Sequence, residues 1–280
     1  MEQHGKNPRQ NVIAIVPARF ASTRLPGKML LDVGGKPLIL CTLEQAAKAR
    51  TVSRVIAATD DERILDVVSA AGGECVMTST DHASGSDRIA EVAEGLPQGS
   101  IIVNVQGDEP LISPDTIDRA VEALLEDQSA DIATTCEPIE SIEELLNSNV
   151  VKVVTNDVGR ALYFSRSPMP FPRDASLRYN GDPNEAVRQE PELMRLFKKH
   201  TGLYVYRREF LLEFMKLPQS RLERIEMLEQ LRALENGARI KVVEAAAASF
   251  GVDTQADLER VRAIVGGVAS VSIGTGAVAE

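Results

Sequence analysis

The chain has 280 residues, 44% of them hydrophobic, and a formal net charge of −10. That is enough apolar material for one large domain, with or without an appended lobe, and the composition excludes disordered, collagen-like and repeat architectures. The acidity argues against nucleic acid as a partner, because phosphate backbones demand extended positive surface. The first apolar stretch, Val12 to Ala18, is too short to cross a bilayer and follows no signal-peptide pattern, so no membrane insertion and a cytoplasmic location are expected. Cys41, Cys75 and Cys136 are odd in number and form no C-x-x-C pair, which reads as three reduced core residues.

From residue 11, short β-branched runs alternate with helical patterns, the arrangement of βαβ units and a mostly parallel sheet. Strands are expected at Asn11–Val16, Arg54–Thr59, Glu74–Met77 and Ser100–Gln106, with helices at Pro37–Ala49, Asp61–Ala71 and Asp87–Glu94 between them. The carboxyl edge of the sheet then falls at residues 17, 60, 79 and 107. Further on, Val150–Thr155 and Arg160–Phe164 flank the turn Asn156-Asp157-Val158-Gly159 and read as a hairpin. The proline-bearing stretch Ser165–Pro191 is too long for an idle connection and is a candidate lid, substrate loop or dimer contact. Helices at Ile225–Glu235 and Thr254–Val265 flank a strand at Ile240–Ala245. The expected organisation is a single domain over 11–265, divided near residue 140, with loose tails at 1–10 and 266–280.

Strand one runs into Pro17-Ala18-Arg19-Phe20-Ala21-Ser22-Thr23-Arg24-Leu25-Pro26-Gly27-Lys28, with three cations and no acid between Val16 and Leu31. In so acidic a chain this is an anion site. A nucleoside triphosphate carries roughly four negative charges, suited to guanidinium forks and an ammonium. The loop is neither a Walker A motif, since Ser22 stands five before Gly27 and Met29 follows the lysine, nor a dinucleotide fingerprint, since no G-x-G-x-x-G follows the strand. The bare spacing also allows a solvated basic loop at a sheet edge.

Gln106-Gly107-Asp108-Glu109-Pro110 follows a buried-looking strand, and the next helix has its own start signal in Ser113-Pro114. Asp108 and Glu109 are therefore free of capping duty, and Asp108 is a natural Mg²⁺ ligand beside bound phosphates. In Gly251-Val252-Asp253-Thr254, Thr254 and Asp257 form a capping-box-like start that frees Asp253 in the same way. Each aspartate judged alone could be an ordinary loop acid.

Together these motifs resemble the 3-deoxy-manno-octulosonate cytidylyltransferases, from Val12 to about Val265. The matching segments are Pro17–Lys28, Val103–Pro110, Ile225-Glu226-Met227-Leu228-Glu229-Gln230-Leu231-Arg232 and Gly251–Thr254. CMP-sialic acid synthetases share only the first, and loosely. The resemblance implies a three-layer α/β nucleotidyltransferase fold with a mostly parallel central sheet and a smaller sugar-binding and dimerisation lobe, the nucleotide half at about 11–140 and the sugar half at about 141–265. It implies a Mg²⁺-dependent homodimer that transfers CMP from CTP to the anomeric hydroxyl of 3-deoxy-D-manno-octulosonate, releasing pyrophosphate for lipopolysaccharide core synthesis.

By motif position, Lys28, Arg24, Asp108 and Asp253 are the implied catalytic residues, Asp108 and Asp253 the implied metal ligands. Arg19, Ser22, Ser84, Gly85, Arg88 and Gln106 would bind the nucleotide, and Arg166, His200, Tyr204, Glu226 and Gln230 the acidic sugar. Without the resemblance, Glu226 and Gln230 read as a surface pair one helical turn apart, and His200 and Tyr204 as a core pair on a strand. The segment Asp81–Arg88 carries Ser86 where threonine is expected, Ala245–Phe250 is more apolar than the family's lead-in to Gly251, and Pro168–Pro191 matches poorly. The alternatives are a CMP transferase for another acidic sugar, such as sialic acid or an amino analogue, and a catalytically silent nucleotide-binding protein.

Overall fold

The computed structural model describes residues 11–22 and 24–267. In chain order the elements of the first half are β1 (Val12–Ala18), β2 (Asp32–Val33), β3 (Lys36–Pro37), α1 (Leu38–Ala47), β4 (Arg54–Thr59), α2 (Glu62–Ala70), β5 (Glu74–Met77), α3 (Gly85–Glu94), β6 (Ile101–Asn104) and α4 (Pro114–Glu126). Then come β7 (Ile132–Pro138), α5 (Ile142–Leu146), β8 (Lys152–Thr155), β9 (Ala161–Ser165), α6 (Arg173–Arg178) and α7 (Pro183–Gln189). The chain finishes with β10 (Lys198–Arg207), α8 (Arg208–Phe214), α9 (Arg221–Glu226), α10 (Glu229–Glu235), β11 (Ile240–Glu244) and α11 (Gln255–Val265).

A nine-stranded sheet in the order β11-β7-β10-β6-β1-β4-β5 forms the centre, extended by β8 beside β10 and β9 beside β8. β1 pairs in parallel with β4 and β6, β4 with β5, and β11 with β7, whereas β10 is antiparallel to both β6 and β7. β1 is buried on both faces, which explains its unbroken apolar run. Val12, Ala14, Val16 and Ala18 join a core with α1, α2, α4 and α11, while Ile13 and Ile15 join the opposite core with α3, α8 and α10. The result is the expected α/β arrangement with a mostly parallel sheet. A third, smaller cluster of Ile139, Leu145, Val187 and Phe197 ties α5 and α7 together.

Several expectations are corrected. The helix expected over Ile225–Glu235 is two helices, because Met227 takes a left-handed conformation at φ 53° and breaks the ladder between α9 and α10. The stretch Ser165–Pro191 carries α6 and α7. Of the three cysteines, all free, only Cys136 is buried; Cys41 and Cys75 lie part-exposed at the margins of the core. The N-terminal tail, and the C-terminal one beyond Gly267, lie outside the described residues.

Two arginines at the junction of β10 and α8 reach helix ends. Arg207 donates to the carbonyls of Leu124 and Asp127 at the end of α4, and Arg208 to those of Ala93 and Glu94 at the end of α3. Both add donors to carbonyls at helix C-termini, where i→i+4 partners run out.

Candidate active site

β1, β6 and β11 run in one direction, so the loops that follow them meet at the sheet's carboxyl edge, where open α/β sheets bind ligands. The loop after β1 closes on a 3₁₀ turn, Lys28–Leu30, entered through Gly27 at φ 65°. A side chain at that left-handed position would be strained and would also crowd the Phe20 ring. Arg63 of α2 stacks 3.3 Å above the same ring, so Phe20 is held between the loop and the neighbouring βα unit.

The turn buries Lys28 and directs its ammonium at two carboxylates. Nζ donates to Asp108 Oδ2 at 2.7 Å and to Asp253 Oδ1 at 3.1 Å, and Arg24 reaches Asp253 Oδ2 at 3.2 Å. The lysine side chain is 9% exposed against 29% for Asp108 and 46% for Asp253, so the acids keep an open side. The loops after β6 and β11 are joined by backbone, and the loop after β6 is also tied to α1. Val252 N–H donates to the Asp108 carbonyl at 2.9 Å, and Thr42 Oγ1 on α1 donates to the Gly107 carbonyl at 3.0 Å. Asp257 receives the N–H groups of Asp253 and Thr254 within the capping box that starts α11, so the Asp253 carboxylate has no capping duty, as expected.

Asp108 and Asp253 converge on one cationic point from an open side. That donor set fits Mg²⁺, which takes one or two carboxylates and completes its octahedron with phosphate oxygens and water. Among the described residues no cluster of three or more His, Cys, Asp or Glu forms a closed metal cage.

The remaining nucleotide-side candidates occupy the same edge, with one exception. Arg19 donates to the Ala83 carbonyl at 3.2 Å, which joins the first loop to the Ser84-Gly85 start of α3, and Ser22 Oγ accepts from Leu25 N–H at 3.4 Å. Gln106 donates to the Gly202 carbonyl at 3.1 Å, just where the pairing of β10 with β7 shifts register. Arg88 is the exception. It is fully enclosed, with its guanidinium on Thr78 and, at 2.6 Å, on Asp60, so it braces the loop from within and does not line the opening.

The sugar-side candidates also cluster. His200 shares a 2.8 Å hydrogen bond with Thr134 and packs edge-on against Phe164 and beside Tyr204. Burial pushes the His200 pKa down to about 3 and the Tyr204 pKa well up, so both are neutral polar groups at physiological pH. Glu226 accepts from Ser165 Oγ at 2.7 Å and from Arg166 N–H at 2.9 Å, and the Arg166 guanidinium returns to the Glu226 carbonyl at 2.7 Å. Gln230 is buried at the start of α10. The simple surface pair of Glu226 and Gln230 is overturned, since they belong to different helices and Glu226 is committed to the end of β9.

Sequence reasoning missed Thr42 and undervalued Glu109. Thr42 stands on the buried stripe of α1, and a polar residue in that stripe was the available signal. Glu109 is buried, and desolvation, with lesser help from Asp108 and Glu137, raises its pKa to about 7.

The chain is similar to known proteins over most of its length. Residues 13–240 match the cytidylyltransferase family model. A 3-deoxy-manno-octulosonate cytidylyltransferase of Geobacter sulfurreducens is 53% identical over 90% of this chain and 98% of its own length, and one of Solibacter usitatus is 47% identical over 91% and 94%. A solved CMP:2-keto-3-deoxy-manno-octonic acid synthetase complexed with CTP superposes with a TM-score of 0.82 at 41% identity, covering 93% of this chain and 100% of that one. A cytidylyltransferase from Leptospira borgpetersenii, at 16% identity and a TM-score of 0.58, shares the fold alone. With close relatives matched over nearly their full length and the basic loop and both aspartates brought to one edge, the chain belongs to the 3-deoxy-manno-octulosonate cytidylyltransferase family.

Proposed function

We propose that the protein transfers CMP from CTP to the anomeric hydroxyl of 3-deoxy-D-manno-octulosonate, releasing pyrophosphate, and so supplies activated sugar for lipopolysaccharide core assembly. The observation that carries this reading is the meeting of Lys28 with Asp108 and Asp253, flanked by Arg24, at the carboxyl edge. The hydroxyl oxygen bonds to the α-phosphorus as the bridging oxygen to the β-phosphorus leaves in line. The hydroxyl proton is released to solvent as the new bond forms.

Arg19, Arg24 and Lys28 hold the phosphates in place and balance charge that grows on the leaving oxygens; in such transfers positioning and electrostatics do most of the work. Mg²⁺, when bound through Asp108 and Asp253, would supply charge neutralisation at the phosphates. On the acceptor side, Arg166 presents a guanidinium to the sugar carboxylate, while His200 and Tyr204 act as neutral hydrogen-bonding groups.

A homodimer is the expected assembly. Among the described residues β9 is paired on one side only, and Leu162 on it, with Ile225 and Met227 beside its far end, leaves apolar surface exposed. The free cysteines are in keeping with the reducing cytoplasm. The decisive assay is pyrophosphate release from CTP and Mg²⁺ with octulosonate, with sialic acid and with no acceptor. Octulosonate-dependent release is expected, and equal release without acceptor would sink the proposal.

A further inference from the structure

Lys152, the first residue of β8, is the one lysine among the described residues with a side chain fully enclosed, and nothing in the chemistry above uses it. Among the described residues no carboxylate forms an ion pair with it. All three ammonium protons go to backbone carbonyls: Asn147 at 2.9 Å, Val150 at 2.7 Å and Arg166 at 2.8 Å. A buried charge bonded only to neutral groups is expensive to keep, and burial pulls its pKa below the usual lysine value. An apolar side chain of the same length would fill the space without that cost. What it could not do is grip two separate segments at three points.

Those segments hold Arg166. Its carbonyl is taken by Lys152 and its N–H by Glu226, so the peptide on each side of the residue is fixed. Its guanidinium donates through Nε to the Glu226 carbonyl at 2.7 Å and through Nη1 to the Ser148 carbonyl at 2.9 Å, and Ser148 lies inside the 147–150 turn that Lys152 clasps. Nη2 points to the Met227 carbonyl at 3.4 Å. A guanidinium has five N–H groups, so two are left for an anionic ligand. Lys152 also adjoins the histidine of the same half-site, because Val151 accepts the His200 N–H at 2.7 Å.

We infer that Lys152 is the positioning residue of the acceptor half of the site, setting Arg166 for the sugar carboxylate by clasping both its backbone and the turn that carries its side chain. The inference rests on the proposed acceptor and on Arg166 facing it. Lys152 touches no substrate.

The test is Lys152→Met, which keeps length and loses the grip, read as separate KM values for the two substrates beside circular dichroism and melting temperature. The acceptor KM should rise about tenfold or more, as expected when a binding group is misplaced, with the CTP KM within about twofold of wild type. Arg166→Ala should raise the acceptor KM likewise, and the double variant should be no worse than Arg166→Ala alone. If Lys152→Met fails to fold, Lys152→Gln, whose amide retains two donors, is read for the same split. An unchanged acceptor KM, equal movement of both KM values, or multiplying effects in the double variant would overturn the inference. Wild type is the control: if it shows no octulosonate-dependent release, the functional reading fails, whereas a working wild type beside an unaltered acceptor KM in the variant removes only the role of Lys152.

Discussion

Lys28 and Asp108, 80 residues apart in sequence, lie 2.7 Å from one another, and the same ammonium reaches Asp253 across 225 residues. A lysine enclosed on all sides but one, facing two half-open acids, is placed to meet a polyphosphate. Lys28→Ala and Asp108→Asn should each lower kcat by about 10²- to 10³-fold, the usual cost of removing one preorganised electrostatic contact. Near-normal pyrophosphate release by either folded variant would show that the contact is structural only.

Metal removal separates the two acids from the lysine. Turnover should stop in EDTA and return with Mg²⁺. In Asp253→Asn the Mg²⁺ concentration for half-maximal rate should rise on the order of tenfold, in line with losses seen when metal sites are weakened. A metal response identical to wild type would remove Asp253 from that role.

Gly107 tests the packing beneath the site. A Cβ there would stand 2.6 Å from the Pro17 carbonyl oxygen and 3.2 Å from the Met29 sulfur, so the loop after β6 must give way. Gly107→Ala should cost about 1–3 kcal/mol, the range for overpacking, and should reduce turnover by shifting Asp108. Urea unfolding checks the first effect, and unaltered stability would mean that the backbone there adapts freely.

His200 sets an acid limit. It titrates near 6.5 when unfolded and at about 3 when folded, so between those values the unfolded chain binds more protons. Stability contributed by the neutral ring is therefore complete above pH 6.5 and declines as pH falls toward 3, by at most about 1.4 kcal/mol per pH unit. His200→Phe should flatten that part of the stability curve. The same slope in both proteins would assign the acid sensitivity to carboxylates.

Self-association through β9 should respond to charge. Leu162, 61% exposed, is replaced by glutamate, and sedimentation should show a dimer for wild type and a monomer for Leu162→Glu. A wild-type monomer, or a dimer in both, would place the interface elsewhere or nowhere.

Local chemistry was legible from residues alone. The apolar run of β1, the acid-free basic loop, the capping box of Thr254 and Asp257 and the turn between β8 and β9 all depend on neighbours within a few positions, and such signals survive in a linear text. The break at Met227 was not legible, since a non-glycine residue in a left-handed conformation is held there by what surrounds it, including the Glu226 contacts with Ser165 and Arg166. Nor was the insertion of β10 between β6 and β7, for pairing across an antiparallel neighbour is chosen by the whole sheet.

By itself the sequence determined the fold class, the basic character of the loop after β1 and the family of the chain. Only the tertiary structure decided that Arg88 is an internal brace, that Glu226 belongs to the end of β9 and that Lys152 clasps Arg166. Burial and long-range hydrogen bonding set those roles, and both are properties of the packed chain that no local spacing encodes.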